Sequence, residues 1–232
     1  MNVLVIDVGG SAVKLSVSDA PEPRTFESGE LTPQDLVDRV RAVTGDWHHD
    51  VISLGFPGLV VDGAPAAEPG NLGTGWVGFD FGKAFGKPVR LVNDAVLQAL
   101  GAYEGGRMLF LGLGTGLGSA LVSEHVIVPL ELGDLPSGKG DTMADRVGRE
   151  GLEENGVDVW TEDVRDILSA LRTALAADYM VLGGGNAELV DPLPANTRRG
   201  GNEDAFKGGY RLWEELVEPH DREPRRVWRV VR

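Results

Sequence analysis

The chain has 232 residues, 42% of them hydrophobic and 25% charged, with no cysteine and a formal net charge of −14. That length suits one or two domains with a sizeable core, and the absence of cysteine rules out a disulfide framework or a thiolate metal site and fits a cytoplasmic protein. The acidic balance argues against bulk nucleic-acid binding, and without a run of about 18 apolar residues no membrane span is expected.

The opening, MNVLVIDVGG, lacks the basic stretch of a signal peptide and reads as a first strand. Val3–Ile6 is a continuous apolar run, as in a buried strand, and Ala12–Ser18 alternates like a returning one. TPQDLVDRVRAVTG predicts a helix with Thr32 as N-cap, Pro33 in the first turn and Gly45 as the stop. DVISLGFPG is a second buried strand. Leu59–Asp80, rich in Gly, Pro and Asn, reads as a functional loop. PVRLVND is a strand that runs straight into a helix at AVLQALGAYEG, and MLFLGLG and GSALVS form another strand pair. A polar, acidic segment to about Gly156 carries a helix at DTMADRVGREGLEENG. EDVRDILSALRTALAA follows as an amphipathic helix with Val164, Ile167, Leu168, Leu171 and Leu175 on one face. DYMVLGGGNAELVDPLP is strand, glycine turn and helix. EDAFKGGYRLWEELV is a last helix flawed by Gly208–Gly209, and the basic tail REPRRVWRVVR reads as a solvated terminus or an edge strand, with a polyanion contact as the sharper alternative. The reading is two α/β lobes joined near Gly101–Gly106, with a cleft between them.

Leu4–Ser18 and Leu109–Ser123 superpose as sequences, with leucine, glycine, valine and serine at matching places. Each is an apolar strand that breaks at a glycine turn and resumes as a strand. Glycine lets backbone N–H groups approach a bulky anion, so two facing turns can grip a polyphosphate chain. GLGTGLG also contains G-x-G-x-x-G, but a dinucleotide fingerprint must open a helix and here a β-like SALVS follows. No Gly-Lys-Ser/Thr tripeptide exists for a Walker A loop.

Asp7, at the end of a buried strand beside the first turn, is a candidate to hold Mg²⁺ through water, or a turn residue capping its own backbone. Lys14, on the returning strand, reads as solvated. In LVNDA, Asp94 is either a helix N-cap or a general base for a substrate hydroxyl, with Asn93 bonding adjacent hydroxyls. The turn Gly183–Asn186 can lie against a nucleotide's base and ribose.

DVGGSAVK, GFPG, NDA, LGTGLGSALV and VLGGGN, in this order, resemble the sugar-kinase branch of the ROK family, of the actin-like ATPase superfamily of hexokinase, Hsp70 and actin. PGNLGTGWVG and EDAFKGGYRLWEE resemble the sugar loop and closing helix of its polyphosphate glucokinase-like group. The resemblance implies a two-lobed, ribonuclease H-like α/β fold with duplicated lobes, residues 1–104 and 105–232, the last helix able to pack on the first lobe. It implies phosphoryl transfer from ATP or polyphosphate, with Mg²⁺, to the 6-hydroxyl of glucose, and a homodimer, as relatives often form. By position Asp94 matches the catalytic base and Asp7 the acidic residue near the metal. Gly9, Gly10 and Ser11 match the first phosphate turn, Gly114, Thr115 and Gly116 the second, and Gly183, Gly184 and Gly185 the adenosine-side turn. Asn71, Asn93, Glu131 and Glu150 match sugar-binding residues.

Two departures stand out. Asp134 occupies the place of the histidine in the family's E-x-G-H motif, and the cysteines of its structural zinc site are missing, so no structural zinc is expected. His48, His49, His125 and His220 make no zinc spacing. Arg107, Lys139, Arg146 and Arg149 are the basic residues at hand for a long anion, which leaves the donor open. A sugar- or nucleotide-binding relative with weak catalysis, or a kinase for another hexose such as an N-acetylhexosamine, are the alternatives; with no DNA-binding domain ahead of Asp7, a repressor is not expected.

Overall fold

The computed structural model describes residues 1–18, 22–138, 140–201, 203–216, 225, 226 and 228–231. The buried runs of the sequence become the central strands of two sheets. In the first sheet, β1 (Val3–Val8), β2 (Ala12–Val17), β3 (Arg24–Glu27), β4 (Val51–Phe56) and β5 (Val89–Asn93) are ordered β3-β2-β1-β4-β5. β1, β2 and β3 form an antiparallel meander, while β4 and β5 add in parallel on the other side of β1. The second sheet repeats this plan. β6 (Arg107–Leu113), β7 (Leu117–Ser123) and β8 (Val126–Leu130) form the meander, and β9 (Tyr179–Gly183) and β10 (Thr197–Arg199) add in parallel beside β6. The repeated sequence stretches are thus equivalent hairpins, β1–β2 and β6–β7. One further strand, β11 (Arg229–Val230), pairs in parallel with β8, so the basic tail is an edge strand here.

Because alternate residues of a strand face opposite ways, an all-apolar strand must be covered on both faces. Leu4, Ile6 and Val8 of β1 pack outward with Leu36, Val37 and Val40 of helix α1 (Pro33–Val43). Val3 and Val5 pack inward, in one core with Met108 and Phe110 of β6 and with helices α2 (Asp94–Ala102) and α5 (Asp204–Arg211). The opposite residues of β6, Leu109, Leu111 and Leu113, pack with Trp160, Val164 and Leu168 of helix α4 (Arg149–Ala174). The order of layers is therefore α1, first sheet, α2 with α5, second sheet, α4. Each fully buried aliphatic side chain contributes about 1.5–3 kcal/mol. No helix among the described residues is long and apolar enough to cross a membrane.

Several local expectations change. Thr32 caps α1 in a reciprocal box with Asp35, with Pro33 in the first turn. The helix expected at 141–156 is two pieces, α3 (Met143–Val147) and the start of α4. The latter continues through Gly156, at φ 76°, into the helix expected from 162. The helix expected after Gly185 is a single 3₁₀ turn, Ala187–Leu189. The loop 59–80 contains a small hairpin, Val60–Val61 with Ala64–Pro65, and a short helix, Phe81–Phe85, follows it. β3, β8 and β10 were not anticipated: β3 and β10 are short, and β8 lies in a stretch that reads as polar and acidic. The expected last helix stops at Arg211 instead of running to Val217, which lies outside the described residues, as do Lys139 and His220.

Gly208 and Gly209 are not a flaw but the contact surface of α5. A Cβ on Gly208 would lie 1.8 Å from Leu97 O of α2, one on Gly209 2.5 Å from Val5 Cγ1, and one on Gly101 1.8 Å from Asp204 O. α5 is further tied to the first sheet: Tyr210 Oη donates to Ser16 Oγ at 2.7 Å, and Ser53 Oγ donates to Gly209 O at 2.6 Å. Trp213 Nε1 donates to Ser53 Oγ at 3.0 Å.

Candidate active site

The site is built where strands end. β1 ends at Asp7 and Val8 and turns through Gly9–Ser11, closed by a Gly9 N–H bond to Ala12 O at 3.0 Å. Ser28 Oγ donates to Gly9 O at 2.7 Å and Ser28 N to Ser11 O at 3.1 Å, so the residue that follows β3 braces the turn. β6 turns through Gly114–Gly116, with Gly114 N–H on Gly116 O at 3.2 Å. The two turns approach each other: a Cβ on Gly10 would lie 3.5 Å from Thr115 Oγ1 and 3.7 Å from Asn71 Nδ2. The first turn, the second turn and the loop bearing Asn71 therefore converge.

The turn Gly183–Asn186 is stitched to the turn Gly114–Gly116. Asn186 N–H donates to Leu113 O at 3.1 Å and Asn186 Nδ2 to Gly114 O at 3.4 Å. Gly184 has φ 81°, and a Cβ there would sit 2.2 Å from Leu113 O, so only glycine fits. Asp7, Gly9, Asp94 and Gly183–Gly185 line one cavity of about 280 Å³. Lys14, Gln98, Arg199 and Asp204 share it and were not singled out for it by the sequence. Arg199 is held in place by bonds to the carbonyls of Ala187 at 3.3 Å and Val190 at 2.8 Å.

Asp7 is 6% exposed, and no hydrogen bond to its carboxyl occurs among the described residues. Burial pushes it up to about 6, with Lys14, its cross-strand partner, pulling the other way. Asp94 begins α2. The N-cap is its neighbour Asn93, whose Oδ1 accepts from Ala95 N at 2.8 Å while its Nδ2 donates to Gly58 O at 3.0 Å. The capping alternative weighed for Asp94 thus falls on Asn93, and Asp94 is free to face the cavity. The residue keeps some exposure through the cavity, yet burial and then repulsion from Asp7 and Glu131 raise its carboxyl to about 7, against backbone bonds from Ala95 N, at 2.9 Å, and from its own N–H. Glu131 sits at the start of a 3₁₀ turn without capping it. Its carboxyl is raised by partial burial and by Asp134.

Not every candidate joins this centre. Asn93 is beside Asp94 in the chain, but its amide is committed to the cap and to Gly58, and it lines a different groove with Arg90 and Trp213. Glu150 is exposed in the first turn of α4, next to Arg149, whose N–H donates to Thr115 O at 3.2 Å. No described contact joins its carboxylate to Asp94. Ser11 is exposed at the tip of its turn. Arg146 pairs with Asp163, which removes one of the cations available to a long anion.

No family model matches the chain. It is 26% identical over 215 residues to the polyphosphate glucokinase of Mycobacterium tuberculosis, covering 80% of this chain and 78% of that one. Among solved structures it resembles the inorganic polyphosphate/ATP-glucomannokinase of Arthrobacter sp. strain KM, with a TM-score of 0.77 and 23% identity over 89% of this chain and 96% of the other. It also resembles a ROK family glucokinase from Streptomyces griseus solved with glucose and AMPPNP, with a TM-score of 0.70, 17% identity and coverage of 90% and 97%. The duplicated sheets around a shared helix pair, with glycine turns that approach each other at the strand ends, define the two-lobed actin-like ATPase fold. Within that class the chain is similar in sequence to a polyphosphate glucokinase and in fold to ROK sugar kinases.

Proposed function

We propose that the protein is a cytoplasmic sugar kinase that transfers a phosphoryl group from ATP or polyphosphate to the 6-hydroxyl of glucose. The observation that carries this is Asp94, a carboxyl near neutrality, lining one cavity with Asp7, Gly9 and Gly183–Gly185. In this reading Asp94 accepts the proton of the attacking hydroxyl, as a base with a pKa near the working pH does best. The backbone N–H groups of Gly9–Ser11 and Gly114–Gly116 hold the phosphates in line, and Lys14 neutralises part of their charge. The loop bearing Asn71 and the carboxylate of Glu131 orient the sugar. Asp7, buried and with no hydrogen bond to its carboxyl among the described residues, suits a Mg²⁺ ion held through water. When bound, that ion would offset charge on the transferred group. Residues 1–104 and 105–232 act as the two lobes, closing to exclude water.

Asp134 supports a second reading, a kinase for another hexose. A carboxylate beside Glu131 presents only acceptors to the sugar, which selects for hydroxyl donors at that position. One assay decides between these readings: a matrix of glucose, mannose and N-acetylhexosamines against ATP and polyphosphate. Phosphorylation of glucose by either donor is the expected outcome, and Asp94→Asn should lower turnover about 100- to 10,000-fold while leaving the fold intact. Near-normal turnover in that variant rejects the assignment, and no product with any sugar rejects the kinase reading.

A further inference from the structure

Glu68 lies outside every motif discussed so far, yet its carboxylate gathers three consecutive backbone donors. Gly75 N–H and Trp76 N–H donate to Oε2 at 2.9 and 3.1 Å, and Val77 N–H donates to Oε1 at 3.2 Å. These bonds pull its carboxyl below the usual glutamate range, Trp76 N–H most strongly, so the group is charged throughout the neutral range.

The segment closed in this way, residues 68–77, carries Asn71. Its other anchors are Gly73 N–H on Leu31 O at 3.1 Å and the Trp76 ring, fully buried between Phe56 and Phe81 at centroid distances of 5.2 and 5.9 Å. The fit at Gly73 is tight: a Cβ there would lie 2.7 Å from Glu30 O. Asn71 itself is exposed, and its Nδ2 lies near Gly10 at the meeting point of the two glycine turns. Asn71 therefore has its place only because the loop has its shape, and three of the bonds that shape it end on one side chain.

We propose that Glu68 is a positioning residue for the sugar: its carboxylate folds the 68–77 loop so that Asn71 is presented to the acceptor at the mouth of the site. The inference rests on the kinase reading for the identity of the ligand, but not for the clamp itself. Glu68 is not among the residues that line the cavity with Asp94, so its loss should fall mainly on the acceptor side.

The test is Glu68→Gln, with Glu68→Asp beside it, in the full chain. Glu68→Gln should raise the KM for the hexose about tenfold, as expected for one lost charge-assisted interaction, with kcat and the KM for the phosphoryl donor changed less than about twofold. Hydrogen exchange at the Gly75, Trp76 and Val77 amides should quicken. Glu68→Asp, charged but one methylene shorter, should fall between. Faster exchange with an unchanged hexose KM would leave Glu68 purely structural and overturn the proposal. So would equal rises in both KM values, or exchange that does not change. If the wild-type protein transfers no phosphoryl group, the kinase reading fails separately. Glucose binding by calorimetry then decides the proposal: binding weakened about tenfold in Glu68→Gln sustains it, and binding that is unchanged, or absent from the wild type, ends it.

Discussion

Asp7 and Asp94 are both held above the ordinary carboxylate range, chiefly by burial, and Asp94 also by the charge of Asp7. With Asp94 as the proposed base, its unprotonated form carries the activity, so kcat/KM should fall as pH drops through about 7, and that inflection should vanish from the residual activity of Asp94→Asn. For stability the sign is opposite. A carboxyl raised from 3.8 to about 6 binds its proton more tightly folded than unfolded, so its stabilising effect is complete below pH 3.8 and is lost as pH rises through 6. Asp7→Asn should therefore be more stable than the parent at pH 8, by up to about 3 kcal/mol, with the gain shrinking toward pH 4. Urea melts at both pH values check it, and an equal gain at both would mean that packing, not charge, is responsible. Asp7, Asp94 and the glycine turns were legible because strand ends, turns and caps are written in adjacent residues. Lys14 was not. Alternation makes it a solvent-facing strand residue, and only the register that sets it opposite Asp7 brings it to the cavity. Nor could local sequence assign the cap between Asn93 and Asp94, since both residue types cap well.

At the scale of elements, the crossing of α2 and α5 is the contact most sensitive to a single methyl group. Helix propensity alone favours Gly208→Ala by up to about 1 kcal/mol. The structure predicts the reverse, a loss of about 2–4 kcal/mol, because the new Cβ would meet the Leu97 carbonyl at 1.8 Å and force the helices apart. Chemical denaturation measures this directly, and a stabilised variant would contradict the crossing. The strand pairs, α1 with its capping box, and the helix after Asp94 could be read from periodicity and end signals. The length of α5 and the meaning of its glycines could not, because a propensity scale registers the local cost of glycine and not the neighbour that requires it. In the same way the turn after Gly185 shows a helical pattern but stops after three residues, once Asn186 has bonded back to Leu113.

The whole molecule is two copies of one strand plan, and the internal repeat announced it. What the repeat did not announce is that the halves share their middle. The inner core joins Val3 and Val5 of the first sheet to Met108 and Phe110 of the second through α2 and α5. Residues 1–104 expressed alone should therefore lack cooperative unfolding and native near-ultraviolet dichroism, and a supplied peptide of residues 203–213 should restore part of the signal. A fragment that melts sharply by itself would refute this. The bond from Tyr210 to Ser16 spans 194 positions and that from Ser53 to Gly209 spans 156. During synthesis, then, the first sheet waits with its inner face only partly covered, by α2, until α5 clears the ribosome. A ribosome stalled before Arg211 holds a nascent chain with that face still partly open to chaperones and proteases, so the fidelity of the first half is decided at the far end of the message.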